Sequence, residues 1–174
     1  MQFKTTGQRL DVDNKASSLT FFATASGNKS VFGKAAELSG HAEIAWDARD
    51  AIAADPRPRM HVEFLVENLR SGNELKDREM WKMIDSKRFP KISADLTELS
   101  LLALPGSYNA AGQITMAGLS RKYDGKFSVK RDAGRLVLDG YLQVDVRDFG
   151  LKPVKLLTLS VEPVVKVHLH LVAG

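Results

Sequence analysis

His168 and His170 lie two residues apart near the C-terminus. On a strand, that spacing puts both imidazoles on one face. Such a pair supplies two of the ligands a divalent metal needs. His41 or His61 would add another only from a neighbouring strand. Val167, Leu169 and Leu171 alternate with the histidines, so the pair is expected to face solvent. Asp77 and Arg78 form a second candidate pair, either for a catalytic or head-group role or, more plainly, with Asp77 tying a helix to a neighbouring strand and Arg78 in water. Lys126, Lys130, Arg131 and Arg135 make a basic cluster that could steer an anionic lipid or nucleic acid. Tyr123 and Phe127 are the only rings there for base stacking, and Asp124, Asp132 and Asp139 dilute the charge, so no nucleic-acid partner is expected. The plain reading of the cluster is a solvated edge that discourages strand pairing.

Other chemistry is excluded by type. With no cysteine, thiol catalysis, Cys-based zinc sites and disulfides are ruled out. Neither G-x-S-x-G nor H-E-x-x-H occurs, and Gly33, Gly40 and Gly72 are too scattered for a phosphate loop. Gly118-Leu119-Ser120 reads as a hairpin turn. The chain is therefore expected not to be an enzyme and to hold no metal or cofactor. Its 174 residues, 44% of them hydrophobic, suit one domain over 1–174 with a substantial core. The net charge of +4 is a mild excess over 21 acidic residues.

The elements that would position these side chains are strands. Leu19, Phe21 and Ala23 share one face of their segment; so do Val62, Phe64 and Val66 of theirs, and Val165, Val167, Leu169 and Leu171 of theirs. Period-two alternation marks antiparallel strands with one side in water. Turn residues such as Ser26-Gly27-Asn28, Ser39-Gly40, Pro105-Gly106 and Asp132-Ala133-Gly134 separate them. The predicted strands are 8–13, 17–26, 29–36, 38–47, 60–69, 91–98, 107–117, 120–131, 134–147 and 157–172. Asp77, Met80, Trp81 and Ile84 recur at helical spacing, predicting one helix at about 73–85 with Asn73 as its N-cap. The Ala-rich start of 47–59 predicts a further turn of helix, stopped by Pro56 and Pro58. Amphipathic strands must bury one face and dispose of their edges, and a closed barrel does both. The expected fold is all-β: an extended antiparallel lipocalin-like barrel of about eight strands with one inserted helix.

The order of motifs resembles the YceI-like family of lipocalin-like, polyisoprenoid-binding barrels. Leu10-Asp11-Val12-Asp13 with Ser18-Leu19-Thr20-Phe21 is similar to its opening, and Val31-Phe32-Gly33-Lys34 to its V-x-G step. Leu69-Arg70-Ser71-Gly72 leading to Lys76-Asp77-Arg78-Glu79-Met80 is similar to the segment that opens its inserted helix. Phe89-Pro90-Lys91-Ile92, Gly112–Arg121 and Arg147-Asp148-Phe149-Gly150-Leu151 match three further motifs. Ser93-Ala94-Asp95 replaces a usual phenylalanine, and Ala25-Ser26 a usual histidine.

The resemblance implies an apolar tunnel holding a polyisoprenoid or similar long amphiphile, of the isoprenoid quinone or polyprenyl phosphate type. It also implies transport and a periplasmic setting in bacteria if a leader has been removed. The polar start Met1–Gly7 lacks the apolar stretch of a signal peptide, so the chain as written is expected in the cytoplasm. Homodimers occur in such a family. No apolar run reaches the ~20 residues of a membrane helix. The candidate ligand-lining residues are Leu19, Phe21, Val62, Phe64, Val66, Trp81, Ile92, Ile114 and Met116, with Ala23, Gly33 and Ala117 leaving room. The same residues also suit a filled core. A packed barrel acting through its surface, or a metal-dependent protein using His168 and His170, are the alternatives.

Overall fold

The computed structural model describes residues 7–25, 29–152, 155–156 and 159–174. Eleven strands form one antiparallel sheet. They are β1 (Gln8–Asp11), β2 (Ser18–Ala25), β3 (Lys29–Ala35), β4 (Ser39–Ile44), β5 (Arg59–Leu65), β6 (Leu69–Arg70), β7 (Lys91–Leu101), β8 (Ser107–Met116), β9 (Leu119–Asp132), β10 (Arg135–Asp145) and β13 (Val164–Ala173). β11 (Lys155–Leu156) and β12 (Leu159–Ser160) make a separate small pair, and helix α1 spans Glu74–Ile84.

The strand order is β1-β4-β5-β7-β8-β9-β10-β13-β2-β3-β6. The β1 end of the sheet curls back onto β13: Val12 bridges Ala173, Asp13 N–H donates to Val172 O, and Gly174 N–H donates to Asp11 O. The count exceeds the expected eight because three long strands are interrupted. β1 and β2 both run along β13, β3 and β4 are parted at 36–38, and β5 and β6 by a 3-10 turn at Val66–Asn68. Counting each interrupted pair once leaves eight staves around the curled sheet. Two of the three breaks have a cause in the connecting residues. Asp13 accepts from the N–H groups of Lys15 and Ala16, turning the chain between β1 and β2. Glu37 sits at φ 57°, which bends the chain into β4.

Other boundaries shift from those read off the sequence. β7 runs on to Leu101, past a register change between Leu96 and Glu98. The last long strand starts at Val164; the expected positions 157–158, like the turn 26–28, fall outside the described residues. No helical turn forms after Asp47. Its carboxylate instead accepts from the N–H groups of Arg49 and Ala51, and Trp46 bridges Ile52. The two hairpin turns, Ala117-Gly118 and Ala133-Gly134, hold both residues at positive φ, as two-residue hairpins prefer.

Helix α1 forms where its periodicity and cap predict. The Asn73 side chain accepts from Lys76 N–H, and Asp85 closes the other end in a left-handed conformation. Asp77 is buried, and its Oδ1 accepts from Ser71 N–H (2.8 Å) and Ser71 Oγ (2.7 Å). It therefore fastens the helix to the chain leaving β6. Arg78 is exposed beside Glu74.

Buried apolar side chains gather in two clusters. One joins Ile44, Phe127, Leu136, Leu138 and Leu171; the other joins Leu38, Val66, Ile84, Met116 and Phe149. Among the described residues no helix is long and apolar enough to cross a membrane.

Candidate functional site

Register decides which side chains face inward. Val62 opposes Ala94, which opposes Ile114; Phe64 opposes Ile92; Leu19 opposes Leu169, and Phe21 opposes Val167. These residues all line one cavity of about 290 Å³. Met60, Leu96, Phe127, Leu142 and Val144 contribute from neighbouring strands, and Met80, Met83 and Ile84 from α1.

The interior is hollow by a simple test. Ala94 points inward with Ile92 and Leu96 but is exposed, and Leu19, Phe21, Phe64 and Ile114 are only half-buried. An inward side chain in a filled core would have lost its accessible surface to neighbours. Small residues make the space: Ala94, Ala110, Gly112 and Gly125 all line it. The two apolar clusters are rich in larger side chains that meet each other.

Seven of the nine candidates line the cavity: Leu19, Phe21, Val62, Phe64, Ile92, Ile114 and Met116. Val66 and Trp81 do not. Val66 leaves the alternation at the 3-10 turn and is fully buried in the second cluster. The Trp81 indole N–H donates to Leu69 O (3.0 Å), and Arg70 lies over its ring, so Trp81 packs the helix down. Ala23 lines the cavity, whereas Gly33 lies under the Phe21 ring and Ala117 sits in a turn. Alternation alone does not mark the small residues of β7–β9 or the methionines of α1, which also line the cavity. Ala110-Ala111-Gly112 within an otherwise apolar-alternating strand was the available signal.

The polar candidates lie elsewhere. His168 and His170 share the outer face with Asp139, which stands between them. His168 Nε2 is 3.1 Å and His170 Nδ1 2.8 Å from Asp139 Oδ2. Burial pushes the Asp139 carboxyl up, but the two histidine contacts outweigh it and hold it below the ordinary range. His41 and His61 oppose each other on β4 and β5, which do not pair with β13, so neither supplies a further ligand. Among the described residues no group of three or more His, Cys, Asp or Glu is arranged to hold a metal. The basic cluster is partly neutralised: Arg131 pairs with Asp50 (3.0 Å) and lies over Trp46, and Arg135 faces Asp13 (3.8 Å).

What the cavity can do follows from size and lining. A cavity of 150 Å³ holds benzene, so one of about 290 Å³ has room for roughly a dozen carbon atoms. Burying that many from water is worth on the order of 10 kcal/mol gross. Association costs of about 4–15 kcal/mol come off that figure.

A family model described as a YceI-like domain matches residues 10–173. Among solved structures, BcnA of Burkholderia cenocepacia superposes with a TM-score of 0.77 at 18% identity, covering 94% of this chain and 100% of that one. A polyisoprenoid binding domain from Saccharophagus degradans, implicated in plant cell wall breakdown, gives 0.70 at 12% identity, covering 95% and 97%. The Campylobacter jejuni YceI protein gives 0.61 at 14%, covering 84% and 86%. No curated protein matches the chain.

Proposed function

The chain belongs to the YceI-like family, and on that premise we propose that it is a non-catalytic carrier that holds a polyisoprenoid or similar long amphiphile in its barrel. The observation that carries the proposal is the hollow interior: inward apolar side chains that retain accessible surface around a cavity of about 290 Å³. The similarity to the Saccharophagus polyisoprenoid binding domain supports the ligand class. An isoprenoid quinone or a polyprenyl phosphate are the finer forms of that reading, and transport in the periplasm is its proposed setting.

The test is a calorimetric titration of delipidated protein with a C20 prenol. Saturable binding with a negative heat-capacity change is expected, since apolar surface is buried. Absence of binding to prenol and to prenyl phosphate alike would overturn the proposal.

A further inference from the structure

A cavity with room for roughly a dozen carbons is shorter than a long isoprenoid. A ligand of that kind must leave the barrel somewhere. We propose that it does so sideways, through a seam between β9 and β10, with its anionic head in a depression on the outer face. The inference rests on the carrier reading above.

The seam is visible in the register. The β9–β10 ladder ends at Tyr141↔Lys126, although β9 extends back to Leu119 and β10 on to Asp145. The outer flanks stay paired, β8–β9 to Met116↔Leu119 and β10–β13 to Asp145↔Val164. The two strands therefore part only from each other. Gly125 is the last point of close approach before the strands part: a Cβ there would lie 2.8 Å from Tyr141 O and 3.1 Å from Leu142 Cβ, so only glycine lets the two strands touch at that position.

Two side chains of β9 reach across the gap, and one of them, Arg121, donates from Nε to Asp148 O (2.8 Å). The Tyr123 hydroxyl accepts from Asp145 N–H (3.2 Å) and donates to Asp148 Oδ2 (2.6 Å). It thus does the work of ladder bonds that are missing beside it. Its ring stacks on Phe149 at 5.9 Å, so the latch is also packed. Burial, then the Asp148 carboxylate, pushes the phenol up to about 12, and it stays a neutral donor at physiological pH.

The seam joins two spaces. Tyr123, Asp124 and Leu142 line the inner cavity, and the same three line a depression on the outside with Tyr141, Gln143 and Lys166. Lys166 lies over the Tyr141 ring at 4.6 Å. Alternation places Lys122 and Lys126 on the outer face of β9, on either side of Asp124. Lys166 lines the depression with Asp124, and Lys122 and Lys126 add positive charge along the same face of β9, an excess that favours an anion such as a phosphate, with the Tyr141 ring as a flat rim for the chain beside it.

The chain has no native cysteine, so the double variant Asp124→Cys/Gln143→Cys can be stapled across the seam with a short bismaleimide. The readout is the dissociation rate of a fluorescent prenyl phosphate, chased by unlabelled compound. We expect the staple, closed after loading, to slow release by about tenfold or more. Tyr123→Phe, which removes both hydrogen bonds of the hydroxyl, should speed it by about five- to a hundredfold. Lys166→Gln should weaken prenyl phosphate but leave prenol unchanged. A stapled protein that releases ligand at the unstapled rate overturns the side port. Equal losses for phosphate and prenol in Lys166→Gln overturn the head site. If the native protein binds neither probe, the carrier reading falls with both.

Discussion

Replacing Ala94 by Leu separates a hollow barrel from a filled one by the sign of a stability change. Ala94 lies on β7 between Val62 and Ile114, points inward, and is exposed to the cavity. Leucine adds three carbons. In a hollow interior they leave water at about 0.8 kcal/mol each, or about 2.4 kcal/mol. Ordering the longer side chain costs about 0.5–1 kcal/mol. The delipidated variant should therefore be more stable by about 1–2 kcal/mol. In a filled core the same carbons would force neighbours off their rotamers and destabilise by about 1–3 kcal/mol. The substitution should also weaken ligand. Three carbon-sized atoms, at about the 30 Å³ of a water each, take up roughly a third of the cavity. The matching loss of about four buried ligand carbons, about 3.2 kcal/mol, weakens binding by about two hundredfold. Urea unfolding of the delipidated proteins measures the first effect, and a prenol titration the second. A variant that is less stable and binds prenol normally would refute the hollow-barrel reasoning.

Two further predictions rest on side chains away from the cavity. Asp77→Ala leaves Ser71 N–H and Oγ without their shared buried acceptor and should cost about 1–3 kcal/mol in urea unfolding, with Asp77→Asn milder; equal stabilities for all three proteins would contradict the fastening role. The hydrogen bond from His61 to Asp95 raises the imidazole above its ordinary 6.5. A raised folded value gives stability that is full below 6.5 and is lost as pH rises through that value. The stability gap between the native protein and His61→Asn should thus be larger near pH 5.5 than near pH 8.5, and a gap that does not change with pH would contradict it.

Much of this was legible in the sequence, and the reasons are local. Strict alternation around Phe21, Phe64 and Val167 fixes which face turns inward, because the side-chain period of a strand is two. The helix is legible because Asn73 caps it and Asp77, Met80, Trp81 and Ile84 share a face. Val66 was misplaced since alternation carries no sign of a 3-10 turn that interrupts a strand. Trp81 was misplaced for a different reason: its helical face is right, but its indole N–H takes the nearest carbonyl, Leu69 O, and holds the ring outside the lumen. The seam was not legible at all. It depends on where the β9–β10 ladder stops, and Tyr123 reads in sequence as one more aromatic residue on a strand.

An isoprenoid-type amphiphile carried in the barrel should survive purification with the protein. The most direct measurement is organic extraction of protein purified without detergent, with mass spectrometry of the extract set against the moles of chain. An isoprenoid lipid is expected at a substantial fraction of one per chain, falling sharply in Ala94→Leu. An extract free of any such lipid, from native protein that also fails to take up added polyprenyl compound, would contradict it.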